Sequence, residues 1–120
     1  MMVSKIRLSP YVNFEGRARE ALEFYHTVLG GKLDLQALRL EAAGALIVAS
    51  DGHPDYPATV GDNVALALAG TDRDGLTRIF NDLAAGGRIK MPLAQQPWGA
   101  AVGWLTDKFG INWTVSIDKA

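Results

Sequence analysis

Apolar and polar positions along the first fifty residues change rhythm twice. Ile6 to Phe14 is apolar and β-prone up to Glu15-Gly16, a turn signal, and this predicts a first strand. From Arg17 the apolar residues Ala18, Ala21, Leu22, Phe24-Tyr25 and Val28-Leu29 recur at helical spacing. Gly30-Gly31 then supplies a stop, because glycine takes positive φ without penalty. Leu33, Leu35, Ala37-Leu38 and Leu40 predict one strand, Ala42-Ala43-Gly44 a tight turn, and Ala45 to Ser50 a further strand. Asp51-Gly52-His53-Pro54 closes this half.

The same order returns after a break. Residues 53–62 carry two prolines and two acids, which suits a linker. Asn63 to Ala69 predicts a strand ended by Gly70, and Thr71 or Asp72 can cap a helix with Leu76, Ile79-Phe80 and Leu83-Ala84 as its buried stripe. Gly86-Gly87 stops that helix. Strands are predicted at Arg88 to Leu93, Gly99 to Thr106 and Asn112 to Ile117, with a loop at Gln95-Gln96-Pro97 and a hairpin turn at Asp107-Lys108-Phe109-Gly110. Phe24 maps to Phe80, Gly30-Gly31 to Gly86-Gly87, Lys32 to Arg88, Leu33 to Ile89 and Arg17 to Arg73, a repeat 56 positions apart. The expected organisation is a single domain of two modules, residues 1–52 and 63–120, joined by a linker at 53–62, with any pocket between them.

Composition narrows the chemistry. A chain of 120 residues can bury a core without metal or disulfide staples. With no cysteine, disulfides, thiol catalysis, thiolate zinc sites and iron–sulfur clusters are excluded. Twelve basic residues against thirteen acidic ones, without a basic cluster, argue against a nucleic-acid partner. No signal-type apolar run follows the N-terminal charge, and no segment approaches the ~20 apolar residues of a membrane span, so a cytoplasmic protein is expected.

Pro10-Tyr11-Val12-Asn13-Phe14-Glu15-Gly16, followed by Glu20-Ala21-Leu22-Glu23-Phe24-Tyr25 and Gly30-Gly31, resembles the vicinal oxygen chelate superfamily of glyoxalases, bleomycin-resistance proteins and dioxygenases. Ala49-Ser50-Asp51, Met91-Pro92-Leu93, Trp98-Gly99 and Thr106-Asp107-Lys108-Phe109-Gly110-Ile111 match further, nearest to the PhnB-like branch often labelled 3-demethylubiquinone methyltransferase-like. The resemblance implies an α+β fold of two βαβββ modules whose curved mixed sheets form a cup with helices outside. This chain is shorter than its relatives after Gly31, which predicts a first module trimmed to a stub at Lys32-Leu33-Asp34. A shortened edge invites pairing with another chain, and the family implies a homodimer.

In metal-dependent members the first, fourth, fifth and eighth strands each supply one ligand. Here Pro10, Val48, Asn63 and Thr114 fall near those positions, and none is a strong ligand, so no metal of the family type is expected. No cofactor is expected either: the glycine pairs end helices, where a nucleoside cofactor such as S-adenosylmethionine wants a glycine-rich loop before one. The family register turns Val12, Phe14, Val48, Ser50, Asn63, Ala65, Ala67, Asn112, Thr114 and Ser116 into the cup and Leu66, Leu68, Trp113, Val115 and Ile117 under the helices. Trp98, Trp104 and Phe109 could close its mouth over a planar ligand, and Gln96 and Asn63 could orient a polar group.

Of the two histidines, His26 suits a helix surface, and His53 sits in a loop from which it could act as donor or general base. Two hypotheses follow. In one, the chain binds a small, partly apolar or aromatic molecule in a metal-free cup, with Phe14, Ser50, His53, Asn63, Gln96, Trp98, Trp104 and Thr114 as ligand-binding residues. In the other, it is a lyase, isomerase or dioxygenase whose metal is held by a non-standard set including His53 and Asp51 or Asp55.

Overall fold

The computed structural model describes residues 6–119. The chain divides at Ala58 and Thr59 into two compact units. The first contains β1 (Tyr11–Asn13), α1 (Ala18–Leu29), β2 (Lys32–Asp34), β3 (Arg39–Ala42) and β4 (Ala45–Ser50). Its sheet has the order β1-β4-β3-β2, with β1 parallel to β4 and the other neighbours antiparallel. Ala18, Ala21, Leu22, Tyr25 and Val28 of α1 are buried, together with Phe14, Leu40, Ile47 and Ala49 from the sheet side. This is the amphipathic stripe that the spacing announces.

Two expectations change in this unit. The strand expected over Ile6 to Phe14 contracts to Tyr11–Asn13. Ile6 and Leu8 are 85% and 99% exposed and bury nothing, and Pro10 offers only its carbonyl, which accepts from the Val48 amide at 3.0 Å. The single strand expected over Leu33 to Leu40 is a hairpin. The Asp34 carboxylate accepts from the amides of Gln36 and Ala37 at 3.1 and 3.0 Å, reversing the chain before Leu38 takes φ 54° and β3 begins. Gly31, at φ 88°, lies so close to the Glu41 carbonyl that no side chain fits there. The second strand of this unit is therefore the expected three-residue stub, and the unit is βαβββ.

The second unit repeats the plan with β5 (Leu66–Gly70), α2 (Arg73–Ala84), β6 (Arg88–Gln95), β7 (Ala101–Thr106) and β8 (Asn112–Ile117), in the order β5-β8-β7-β6. Asp72 caps α2 by accepting from the Gly75 amide at 3.0 Å. β5 starts three residues later than expected. The Asn112 amide group donates to the carbonyls of Gly61 and Val64 at 3.4 and 3.1 Å, so the approach to β5 is held by a side chain instead of a ladder. Phe80, Leu83, Leu105, Trp113, Val115 and Ile117 form the core.

The repeat carries an internal slip. Ala21, Tyr25 and Val28 are buried in α1 as Leu76, Phe80 and Leu83 are in α2, which is an offset of 55, while the glycine stops and the strands after them keep 56. Tyr25, and not Phe24, is thus the counterpart of Phe80. The extra residue is Ala85, which separates α2 from Gly86.

Candidate functional site

Each sheet has one face under its helix and one turned away from it. In the second unit Trp113, Val115 and Ile117 are buried, and a Cβ on Gly103 would lie 2.6 Å from the Phe80 ring, so these positions face α2. Alternation puts Thr114 and Ser116 on the other face. Cross-strand pairing extends that face as two rows, Ala67–Thr114–Trp104–Met91 and Ala69–Ser116–Val102–Ala94. Trp104 and Met91 are each 37% exposed, which is unusual for large apolar side chains inside a ladder. β6 is irregular on both sides of Met91. Consecutive residues Lys90 and Met91 oppose the single residue Trp104, and the Lys90 ammonium lies 4.9 Å from the centre of the Trp104 ring.

The equivalent row of the first unit reads Tyr11–Val48–Arg39–Asp34. Where that row of the second sheet is aromatic and neutral, this one is charged, and Glu41 and Lys32 add to this in the next row. The expected inward register of β1 is corrected here. Tyr11 and Asn13 share the face of Val48 and Ser50, whereas Val12 pairs with buried Ala49 and Phe14 packs its ring on Tyr25 at 6.0 Å. A one-residue register difference exchanges the two faces of a strand.

The candidate residues separate accordingly. Trp104 and Thr114 are ladder partners on the α2-free face. Trp98 is 72% exposed at the tip of the β6–β7 turn, where the Gln96 side chain donates to the Ala94 carbonyl at 3.0 Å. Asn63 is exposed and lies ahead of β5. Phe14 belongs to the core beneath α1. In the first unit the Ser50 hydroxyl accepts from the Gly52 amide at 2.9 Å, and His53 lines a concavity of about 310 Å³ with Asn13, Glu15 and Asp51. Asn112 carries buried hydrogen bonds, also accepting from the Thr106 hydroxyl at 2.8 Å. Met91 and Lys90 were absent from the sequence-derived site. The signal for them was Pro92, a residue that strands tolerate at edges and bulges.

One atom each of His53 and Asp51 is already engaged by the backbone. His53 Nδ1 accepts from the Asp55 amide at 3.1 Å, and Asp51 Oδ1 accepts from the Ala18 amide at 2.9 Å, tying the end of β4 to the first turn of α1. Among the described residues no three His, Cys, Asp or Glu side chains gather as a metal would require. The strand-to-helix connections do not fit a nucleoside cofactor. Each is short, and a protein carboxylate, Asp51 in one and Asp72 in the other, takes the helix N-terminal amide that a ligand would use.

Among the described residues no helix is long and apolar enough to cross a membrane. The family described as 3-demethylubiquinone-9 3-methyltransferase matches residues 30–116. The crystal structure of protein PA1353 from Pseudomonas aeruginosa is 31% identical, covers 97% of this chain and 100% of that one, and superposes with a TM-score of 0.87. A putative 3-demethylubiquinone-9 3-methyltransferase, PhnB protein, from Bacillus cereus is 23% identical over 93% of this chain and 99% of that one, with a TM-score of 0.77. A member of the glyoxalase/bleomycin resistance protein/dioxygenase superfamily from Sphaerobacter thermophilus is 18% identical over 94% of this chain and 98% of that one, with a TM-score of 0.64. The last two share the fold. Since the matched segment runs from the stop of α1 to Ser116 in β8, the chain belongs to the family described as 3-demethylubiquinone-9 3-methyltransferase, on the fold shared with the PhnB protein and with the glyoxalase/bleomycin resistance/dioxygenase superfamily member.

Proposed function

We propose that this protein binds a small, partly apolar or aromatic molecule on the α2-free face of its second sheet, without a resident metal. The observation that carries this is the row Ala67–Thr114–Trp104–Met91, which sets a half-exposed indole and thioether beside small neutral neighbours. Leaving such side chains wet forgoes burial at roughly 25 cal/mol per Å². A flat ligand stacked along Trp104 recovers that burial, while the Thr114 hydroxyl orients a polar substituent. The backbone's engagement of one atom each of His53 and Asp51 favours this over a metal-dependent lyase, isomerase or dioxygenase. A homodimer is part of the proposal, supported by the three-residue edge strand β2; light scattering that finds only monomer at micromolar concentration would count against it.

The test is calorimetric titration with 2-naphthamide as a neutral planar probe. Binding should be measurable at submillimolar concentration, weaken at least tenfold in Trp104→Ala, and persist in Trp98→Ala. No binding, or equal binding by Trp104→Ala with an unchanged circular dichroism spectrum, would sink the proposal.

A further inference from the structure

We infer that the ligand of this face carries an acidic group, a planar aromatic carboxylate or comparable anion, and that Lys90 with Arg88 selects it. This rests on the binding function proposed above and adds its charge.

Charge on the second unit is unevenly placed. The unit has no glutamate, and its aspartates are committed elsewhere or remote from this row. Asp72 caps α2, and Asp74 and Asp82 lie on that helix. Asp107 is buried against the Trp113 indole, Asp118 meets the Ser116 hydroxyl just beyond β8, and Asp62 precedes β5. Two cations remain beside Trp104. The bulge brings the Lys90 ammonium over the ring, and Arg88 pairs with Thr106, two residues along β7 from Trp104 and on the same face. Neither has a carboxylate partner among the described residues. In the corresponding row of the first unit opposite charges are ladder neighbours, Arg39 standing across from Asp34 on β3 and β2.

An indole with two uncompensated cations beside it, in a row without carboxylates and with Asp118 held by Ser116 beyond the end of β8, presents positive potential next to a stacking surface. A planar acid fits both features. Its ring lies along Trp104 and Met91, and its carboxylate exchanges the ring contact of Lys90 for a charge-assisted hydrogen bond. Arg88 adds longer-range attraction. A planar cation meets repulsion from both, so the site discriminates by sign as well as by shape.

The experiment is calorimetric titration of the full chain with three isosteric probes: 2-naphthoate, 2-naphthamide and 2-(aminomethyl)naphthalene. Wild type should bind the acid about tenfold more tightly than the amide, equivalent to about 1.4 kcal/mol, and the amine least. Lys90→Met should lower the naphthoate affinity at least fivefold while leaving the amide within twofold. Lys90→Arg should restore the preference, and raising salt should narrow it. The same amide titration reports whether each variant still folds its binding face. Equal affinity for acid and amide in wild type, or a Lys90→Met loss shared equally by both, overturns the charge assignment and leaves the binding function standing. Failure of all three probes overturns both.

Discussion

Replacing Asp107 with alanine should remove a large part of the stability of the second unit. Asp107 is 3% exposed at the β7–β8 turn. Its carboxylate accepts from the amides of Phe109 and Ile111 at 2.8 and 3.1 Å and from the Trp113 indole at 2.8 Å, so one side chain shapes the turn and satisfies a buried donor. Hydrogen bonds to a charged group are worth about 1.5–3 kcal/mol each. The two turn amides lie in half-buried residues and can recover water, whereas Trp113 is 2% exposed and cannot. The expected cost is about 3–5 kcal/mol, against the roughly 5–15 kcal/mol that holds a domain folded. Urea unfolding followed by tryptophan fluorescence reads this directly. With a slope of about 1–3 kcal/mol per molar, the midpoint should fall by about 2 M. Asp107→Asn should lose nearly as much, because its NH₂ group must face either the indole N–H or the turn amides. In a Trp113→Phe background the cost of Asp107→Ala should shrink by about 1.5–3 kcal/mol, the share of the indole bond. A loss below about 1 kcal/mol in the wild-type background would refute the claim that this carboxylate organises the hairpin.

Other outcomes follow from the same structure. Gly103→Ala places a methyl group 2.6 Å from Phe80 and 2.9 Å from the Leu93 Cα, and should lower stability by about 1–3 kcal/mol in thermal denaturation. Asp51→Ala should cost about 0.5–2 kcal/mol by uncapping α1, with Asp51→Asn milder, as read by chemical denaturation. Dialysis against EDTA, followed by titration with 2-naphthamide with and without added zinc, should give superimposable binding curves; metal-dependent affinity would contradict the proposed function.

Much of the architecture was visible in the pattern because helix and strand periods differ. The two helices, their glycine stops and the strands 45–50 and 112–117 appear where alternation and spacing put them. Sequence reasoning failed where a side chain, instead of a period, directs the backbone. Asp34 turns one apparent strand into a hairpin, and Asn112 holds the lead-in to β5. The repeat aligned Phe24 with Phe80 because glycine and phenylalanine are conspicuous; the buried stripe, which packing decides, aligns Tyr25 instead. Trp104 and Thr114 were recognisable as candidates, but Lys90 and Met91 were not. Their placement depends on a bulge, and an extra residue in a ladder reverses alternation without altering composition.

The strand orders β1-β4-β3-β2 and β5-β8-β7-β6 carry a consequence for how the chain is made. In each unit the first strand finds its partner only in the last, so during synthesis Tyr11–Asn13 waits for Val48 and Leu66–Gly70 waits for Trp113 to Ile117. Everything between can fold from near neighbours, while these closures are long-range and correspondingly slow. Leu66-Ala67-Leu68-Ala69 is apolar and uncharged, and until it docks it offers a free edge to other nascent chains. The hazard of misassembly in this protein therefore lies in the opening strand of each half.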